Sequence, residues 1–130
     1  MIQDTSFIID VLNGDDDALA RLEAIEAERR PEKISSITVL ELYEGIGQTD
    51  RPEDERDAVL SVLDSKNILA ADAGIMRRAG QLSGELIAAG DRIDREDCII
   101  AATALGEGEP VVTRNETHFQ RIPHLDVVSY

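Results

Sequence analysis

Carboxylates at the heads of apolar segments are the residues of this chain best placed to do chemistry. The stretch Ile93-Asp-Arg-Glu-Asp-Cys-Ile-Ile-Ala-Ala-Thr-Ala-Leu105 begins acidic and becomes an apolar run from Cys98 to Ala102. Such a run, with Gly90 before it and Gly106 after it, predicts a buried helix bounded by those glycines. Asp94 and Asp97 lie three residues apart and share a face of its first turn. A charged carboxylate there lies near the core, which is costly unless something positive meets it. Asp4 stands where a short opening strand breaks. Glu41 falls in the first turn of the helix after the second strand. Asn115 sits where the fourth strand ends. Open α/β sheets bind ligands outside the carboxyl ends of their strands. Three carboxylates and an amide are therefore expected at one rim. Hard divalent cations such as Mg²⁺ or Mn²⁺ take oxygen ligands, and the chain has no Cys/His set for zinc. A cation held there polarises a phosphate and activates a water for in-line attack.

Each acid also has a plainer reading. Thr38-x-x-Glu41 fits a capping box, and Asp94-x-x-Asp97 is a near relative of one. Acids in a first turn are favoured by the helix dipole. Taken singly, Glu41 and Asp94 read as caps. Asp4 and Asp97 read as functional, because each interrupts or heads an apolar segment.

Alternating strands and helices must position these groups. Strands are expected at 1–4, 33–37, 67–70, 110–113 and 125–128. Helices are expected at 6–12, 18–30, 38–46, 53–63, 72–89 and over the apolar stretch, with a helical turn at 115–119. Residues 13–16 read as a turn and Pro52 as a helix entry. Asp72 caps the long helix and Gly90 ends it. This alternation predicts a mostly parallel sheet of about five strands with helices on both faces. One domain spanning 1–130 follows from the length.

The composition adds limits. The net charge is −14, from 27 acidic and 13 basic residues. Such a surface repels nucleic acid at ordinary salt and suits a concentrated-salt cytoplasm. Four aromatic residues are too few for a base-stacking platform. No apolar run approaches a membrane span, and no signal-peptide layout opens the chain, so a soluble cytoplasmic protein is expected. The lone Cys98 fits a reducing compartment and reads as a buried, inert thiol. His118 and His124 lack a nucleophile partner, and His118 is expected to pack beside Phe119. Leu42, Tyr43 and Ile46 read as core, with the option of facing a partner.

Four segments, in order, carry a family resemblance: Asp4-Thr-Ser-Phe-Ile-Ile-Asp10, Ile37-Thr-Val-Leu-Glu-Leu-Tyr-Glu-Gly45, Asp97-Cys-Ile-Ile-Ala-Ala-Thr-Ala-Leu105 and Val112-Thr-Arg-Asn-Glu-Thr-His-Phe119. Together they resemble the PIN domain, and more narrowly the VapC-type toxins of toxin–antitoxin pairs. The resemblance covers the whole chain. It implies a Mg²⁺- or Mn²⁺-dependent endoribonuclease with catalytic Asp4, Glu41 and Asp97, of which Asp4 and Asp97 are the principal metal ligands. It also implies a homodimer and a cognate antitoxin that inserts into the active-site groove. Many PIN nucleases carry Asp where this chain has Asn115, which favours one tightly held ion, with Asp94 as a further acid. Thr5 or Ser6 is expected to bond Asp4 or a bound phosphate, and Arg114 to steer phosphate. A catalytically inactive PIN-like interaction module is the alternative. A phospho-accepting receiver domain is discounted, because it needs a Lys late in the chain and the last one is Lys66.

Overall fold

The computed structural model describes residues 1–130. The elements run β1 (Ile2–Gln3), α1 (Thr5–Leu12), α2 (Asp16–Ala27), β2 (Lys33–Ser35), α3 (Ser36–Ile46), α4 (Pro52–Asp64), β3 (Asn67–Leu69), α5 (Ala73–Ala88), α6 (Arg95–Glu107), β4 (Val111–Val112), α7 (Glu116–Phe119) and β5 (Val127–Val128). All strand pairs are parallel, in the order β3-β2-β1-β4-β5. Ile2 lies opposite both Lys33 and Val111, which puts β1 at the centre. The order reverses at β1, so the switch point lies between the carboxyl ends of β1 and β4. That is where an open α/β sheet leaves a crevice for ligand.

Neighbouring strand residues point to opposite faces, and the core divides accordingly. Ile2 and Val111 face one cluster, built from α5, α6 and the Phe119–Ile122 segment. Ile34 and Val112 face the other, which holds Phe7, Ile8, Leu42, Ile46 and Val59 from α1, α3 and α4. Phe7 and Phe119 are completely buried, one on each side. Each such burial stabilises by ~2–3 kcal/mol. Helix α6 is the central helix, as its composition predicts. It packs under α5 and against α3, β1, β2 and β4, and Cys98 through Ala104 are all buried.

Several local expectations need correction. Helix α6 runs through Gly106 and ends at Gly108, whose φ of 66° is the left-handed turn; Gly106 still has Ile75 against it, within the helix. Helix α3 starts at Ser36, capped by Ser35. Glu41 therefore lies in the second turn, not the first, and the Thr38–Glu41 capping box does not form. Helix α2 starts at Asp16 behind an Asp15 cap, because that side chain takes the Ala18 amide. Strand β2 stops at Ser35, two residues early, since Ser36 already belongs to the helix. Other expectations hold: Asp72 caps α5 through the Ile75 amide, Gly90 ends it at φ 76°, and Pro52 opens α4.

The two ends of the sheet differ in charge. At the amino ends, Lys66 pairs with Glu32 at 2.6 Å, and Lys33 with Glu107 at 3.2 Å. Glu109 meets Arg30 and the Met1 ammonium, each at 3.1 Å. Burial works to raise the Glu109 carboxyl, but the ammonium and Lys33 outweigh it and hold it below its ordinary range. Both lysines of the chain are used at this end.

Candidate active site

Asp4 follows β1 directly and is 2 % exposed. It caps α1 by accepting the Phe7 amide at 2.9 Å on Oδ1. Ser6 Oγ reaches both carboxylate oxygens, at 2.8 and 3.0 Å, and Thr113 Oγ1 donates to Oδ2 at 2.5 Å. The Thr113 bond spans the switch point, joining the end of β1 to the end of β4. Three donors leave part of the carboxylate's lone-pair capacity open. Burial raises the Asp4 pKa, and Thr113, Phe7, Ser6 and Arg114 oppose that rise without cancelling it.

Glu41 comes in from α3. Thr5 Oγ1, from α1, donates to its Oε1 at 2.7 Å and also lies 3.1 Å from Thr38 Oγ1. Thr5 therefore orients Glu41, while Ser6 alone of the pair bonds Asp4. Burial pushes Glu41 above its ordinary range, and Glu96, Asp4 and Glu44 push it further.

Asp97 comes from the first turn of α6. Burial, then the charges of Asp4, Asp94, Glu41 and Glu96, raise its pKa to about 7. Among the three acids expected to share one rim, Asp4 thus opposes the ionisation of Glu41 and Asp97, and Glu41 opposes that of Asp97. As the side chains stand, no group of three His, Cys, Asp or Glu residues closes into a coordination cage. What converges is a set of hard oxygen donors with excess negative charge, which suits Mg²⁺ or Mn²⁺. Asp4 and Asp97 are the most buried of these donors.

The remaining expectations divide. Asp94 is exposed and precedes α6 without a side-chain cap bond, so its plain capping reading fails, but Asp97 feels its charge. Asn115 is exposed, and its side chain caps nothing. It takes part through its backbone, donating to Thr113 Oγ1 at 2.8 Å. Arg114 lies near enough to lower Asp4, and its guanidinium is held by Asp10 at 2.6 Å. Asp10 also accepts the Tyr130 hydroxyl at 2.5 Å. Cys98 is buried, which pushes its thiol up and leaves it inert. Leu42 and Ile46 are core, whereas Tyr43 and Leu40 are exposed.

Three residues of the site are missing from the sequence reading. Thr113 lies within the Val112–Phe119 segment, and a polar residue closing a Val-Val strand is the signal that marks it. Glu96, half-buried in the first turn of α6, adds its charge to both Glu41 and Asp97. His118 does not simply pack beside Phe119: its Nδ1 faces Asp97 Oδ2 at 3.8 Å.

A parallel sheet with uncompensated carboxylates over its switch point defines an α/β protein with an acidic ligand crevice. The chain belongs to the PIN domain family, whose pattern matches residues 1–125. Among curated relatives, it is 29 % identical over 122 residues to ribonuclease VapC2 of Rickettsia felis, covering 94 % of this chain and 91 % of that one. It is 33 % identical over 94 residues to the tRNA(fMet)-specific endonuclease VapC of Salmonella typhimurium, covering 72 % and 71 %. The fold is similar to that of Rickettsia felis VapBC2 bound to a promoter DNA fragment. There the TM-score is 0.89 and the identity 28 %, over 99 % of this chain and 97 % of that one. DNA-bound VapBC from Salmonella typhimurium gives a TM-score of 0.85 at 28 % identity, over 98 % and 96 %.

Proposed function

We propose that the chain is a Mg²⁺- or Mn²⁺-dependent endoribonuclease, the toxin of a type II toxin–antitoxin pair, acting in the cytoplasm. One observation carries the reading. Asp4, Glu41 and Asp97, far apart in sequence, are drawn to one rim: burial raises the pKa of all three, the Asp4 charge raises Glu41 and Asp97 further, and the Glu41 charge adds to Asp97. Kinship with VapC ribonucleases agrees with it. An inactive interaction module has no use for such a cluster and is not favoured.

Asp4 and Asp97 would hold the cation, with Glu41 positioning it or the attacked phosphate's water. When bound, the cation polarises the phosphodiester and activates that water. Ser6 and Thr113 fix the Asp4 carboxylate from behind, and Thr5 fixes Glu41. Groups locked in this way lose little freedom when the substrate arrives. Arg114 offers its exposed guanidinium to an RNA phosphate while Asp10 holds it from the side.

The partner is an antitoxin, as in neighbours solved as toxin–antitoxin complexes. Leu40 and Tyr43 on α3, which flank Glu41 in sequence, and Leu60 on α4 are exposed apolar side chains for it to cover. The expected assembly is a homodimer, which light scattering tests. No helix is long and apolar enough to cross a membrane. The deciding assay is RNA cleavage with Mg²⁺ or Mn²⁺ against an EDTA control, at several salt concentrations. Asp4→Ala and Asp97→Ala should abolish cleavage and remain folded. Cleavage at the parent's rate by either variant overturns the mechanism.

A further inference from the structure

Helix α7 is a single turn held down by Phe119, which is completely buried. His118, the residue before Phe119 in that turn, faces Asp97 on the acidic rim. Its Nδ1 is sealed from solvent and has no hydrogen-bond partner. The facing polar atom is Asp97 Oδ2, at 3.8 Å. That separation is too long for a hydrogen bond. A buried nitrogen left without a partner costs ~1–3 kcal/mol. Asp97 is likewise a carboxylate crowded by other acids. Each of these neighbours lacks what a shared cation would supply.

We propose that His118 is a ligand of the cation bound by the acidic rim, so that the site takes one nitrogen donor and favours Mn²⁺ or later first-row ions over Mg²⁺. The proposal rests on the metal-dependent reading above and deepens it. Two donors sharing one divalent ion at ~2.1 Å lie roughly 3–4 Å apart, which the Asp97–His118 separation matches. Imidazole suits transition metals, whereas Mg²⁺ takes oxygen and gives up its water reluctantly. An all-oxygen site has no such bias. Asn115, the polar residue a sequence reading puts in this position, is exposed, and its side chain makes no capping bond to α7. His118 fills that part of the rim from the far end of the same short helix.

The test uses the whole protein with Mn²⁺ as the probe. Pulsed electron paramagnetic resonance of the bound ion should show ¹⁴N modulation from one imidazole. His118→Gln should lose the modulation, and Mn²⁺ affinity should fall by roughly 10–100-fold while Mg²⁺ affinity changes by less than about 3-fold. His118→Glu keeps a donor without the nitrogen: it should bind Mn²⁺ with no ¹⁴N modulation and gain affinity for Mg²⁺. His124→Gln is the control and should retain the modulation. Mn²⁺ bound by the parent without ¹⁴N modulation, or modulation that survives His118→Gln, overturns the role of His118 and leaves the nuclease reading intact. Failure of the parent to bind Mn²⁺ or Mg²⁺ at all overturns both.

Discussion

Replacing Asp97 by Asn should stabilise the protein in EDTA at alkaline pH. Burial first, and then Asp4, Asp94, Glu41 and Glu96, lift the Asp97 carboxyl from 3.8 to about 7. An acid with a raised pKa in the folded state contributes stability while protonated. That contribution is complete below about pH 4 and is lost as the pH climbs through about 7. At ~1.4 kcal/mol per pH unit, ionising Asp97 in the folded protein costs at most ~4 kcal/mol. Water at the rim roughly halves this, to ~2 kcal/mol. Asn also forfeits the favourable interaction of a carboxylate with the start of α6, ~0.5 kcal/mol. The net gain for Asp97→Asn is then ~1–2 kcal/mol, a rise in Tm of roughly 3–8 °C at about pH 8. Near pH 5 the parent's Asp97 is already protonated when folded, so the advantage should shrink or vanish. Thermal melts of both proteins at the two pH values measure the difference. Adding Mg²⁺ or Mn²⁺ should then raise the parent's Tm and leave the variant's nearly unchanged. A variant less stable than the parent at alkaline pH, or an advantage independent of pH, refutes the crowding argument.

Other perturbations should read out separate parts of the structure. Thr113→Val leaves Asp4 Oδ2 and the Asn115 amide each without one partner. It should cost ~1–3 kcal/mol in urea denaturation and weaken cation binding about tenfold by calorimetry; unchanged binding would show that Thr113 does not orient Asp4. Asp10→Ala frees Arg114 from its clamp, so RNA cleavage should show a raised KM with kcat nearly preserved, and a fall in kcat alone would contradict phosphate steering. Lys66 is nearly buried and pairs with Glu32. Lys66→Met should lower stability by ~1–3 kcal/mol in urea. Because it lies at the opposite end of the sheet, cleavage per folded molecule should be unchanged.

Much of the architecture can be read from local signals. Helical periodicity, the Asp72 cap, the Pro52 entry and the Gly90 stop are decided within a few residues. The apolar run behind Asp97 announces a buried helix for the same reason, because a segment with so little polar surface must be covered on nearly all sides. Boundaries fail where a neighbouring group outcompetes the expected one. Ser35 takes over the cap assigned to Thr38, and this moves Glu41 along the helix by most of a turn.

The chain alone determined the segments, the acidic candidates and the family pattern that joins them. Tertiary structure decided which partners each acid has. Thr113 reaches Asp4 across 109 positions, and Thr5 reaches Glu41 across 36, because β4 and α3 are brought beside β1 and α1. The imidazole of His118 meets Asp97 only because Phe119 pins α7 against the core. Periodicity and capping depend on residues a turn apart. Convergence at the rim depends on strand order, which is fixed by burying both faces of the sheet at once.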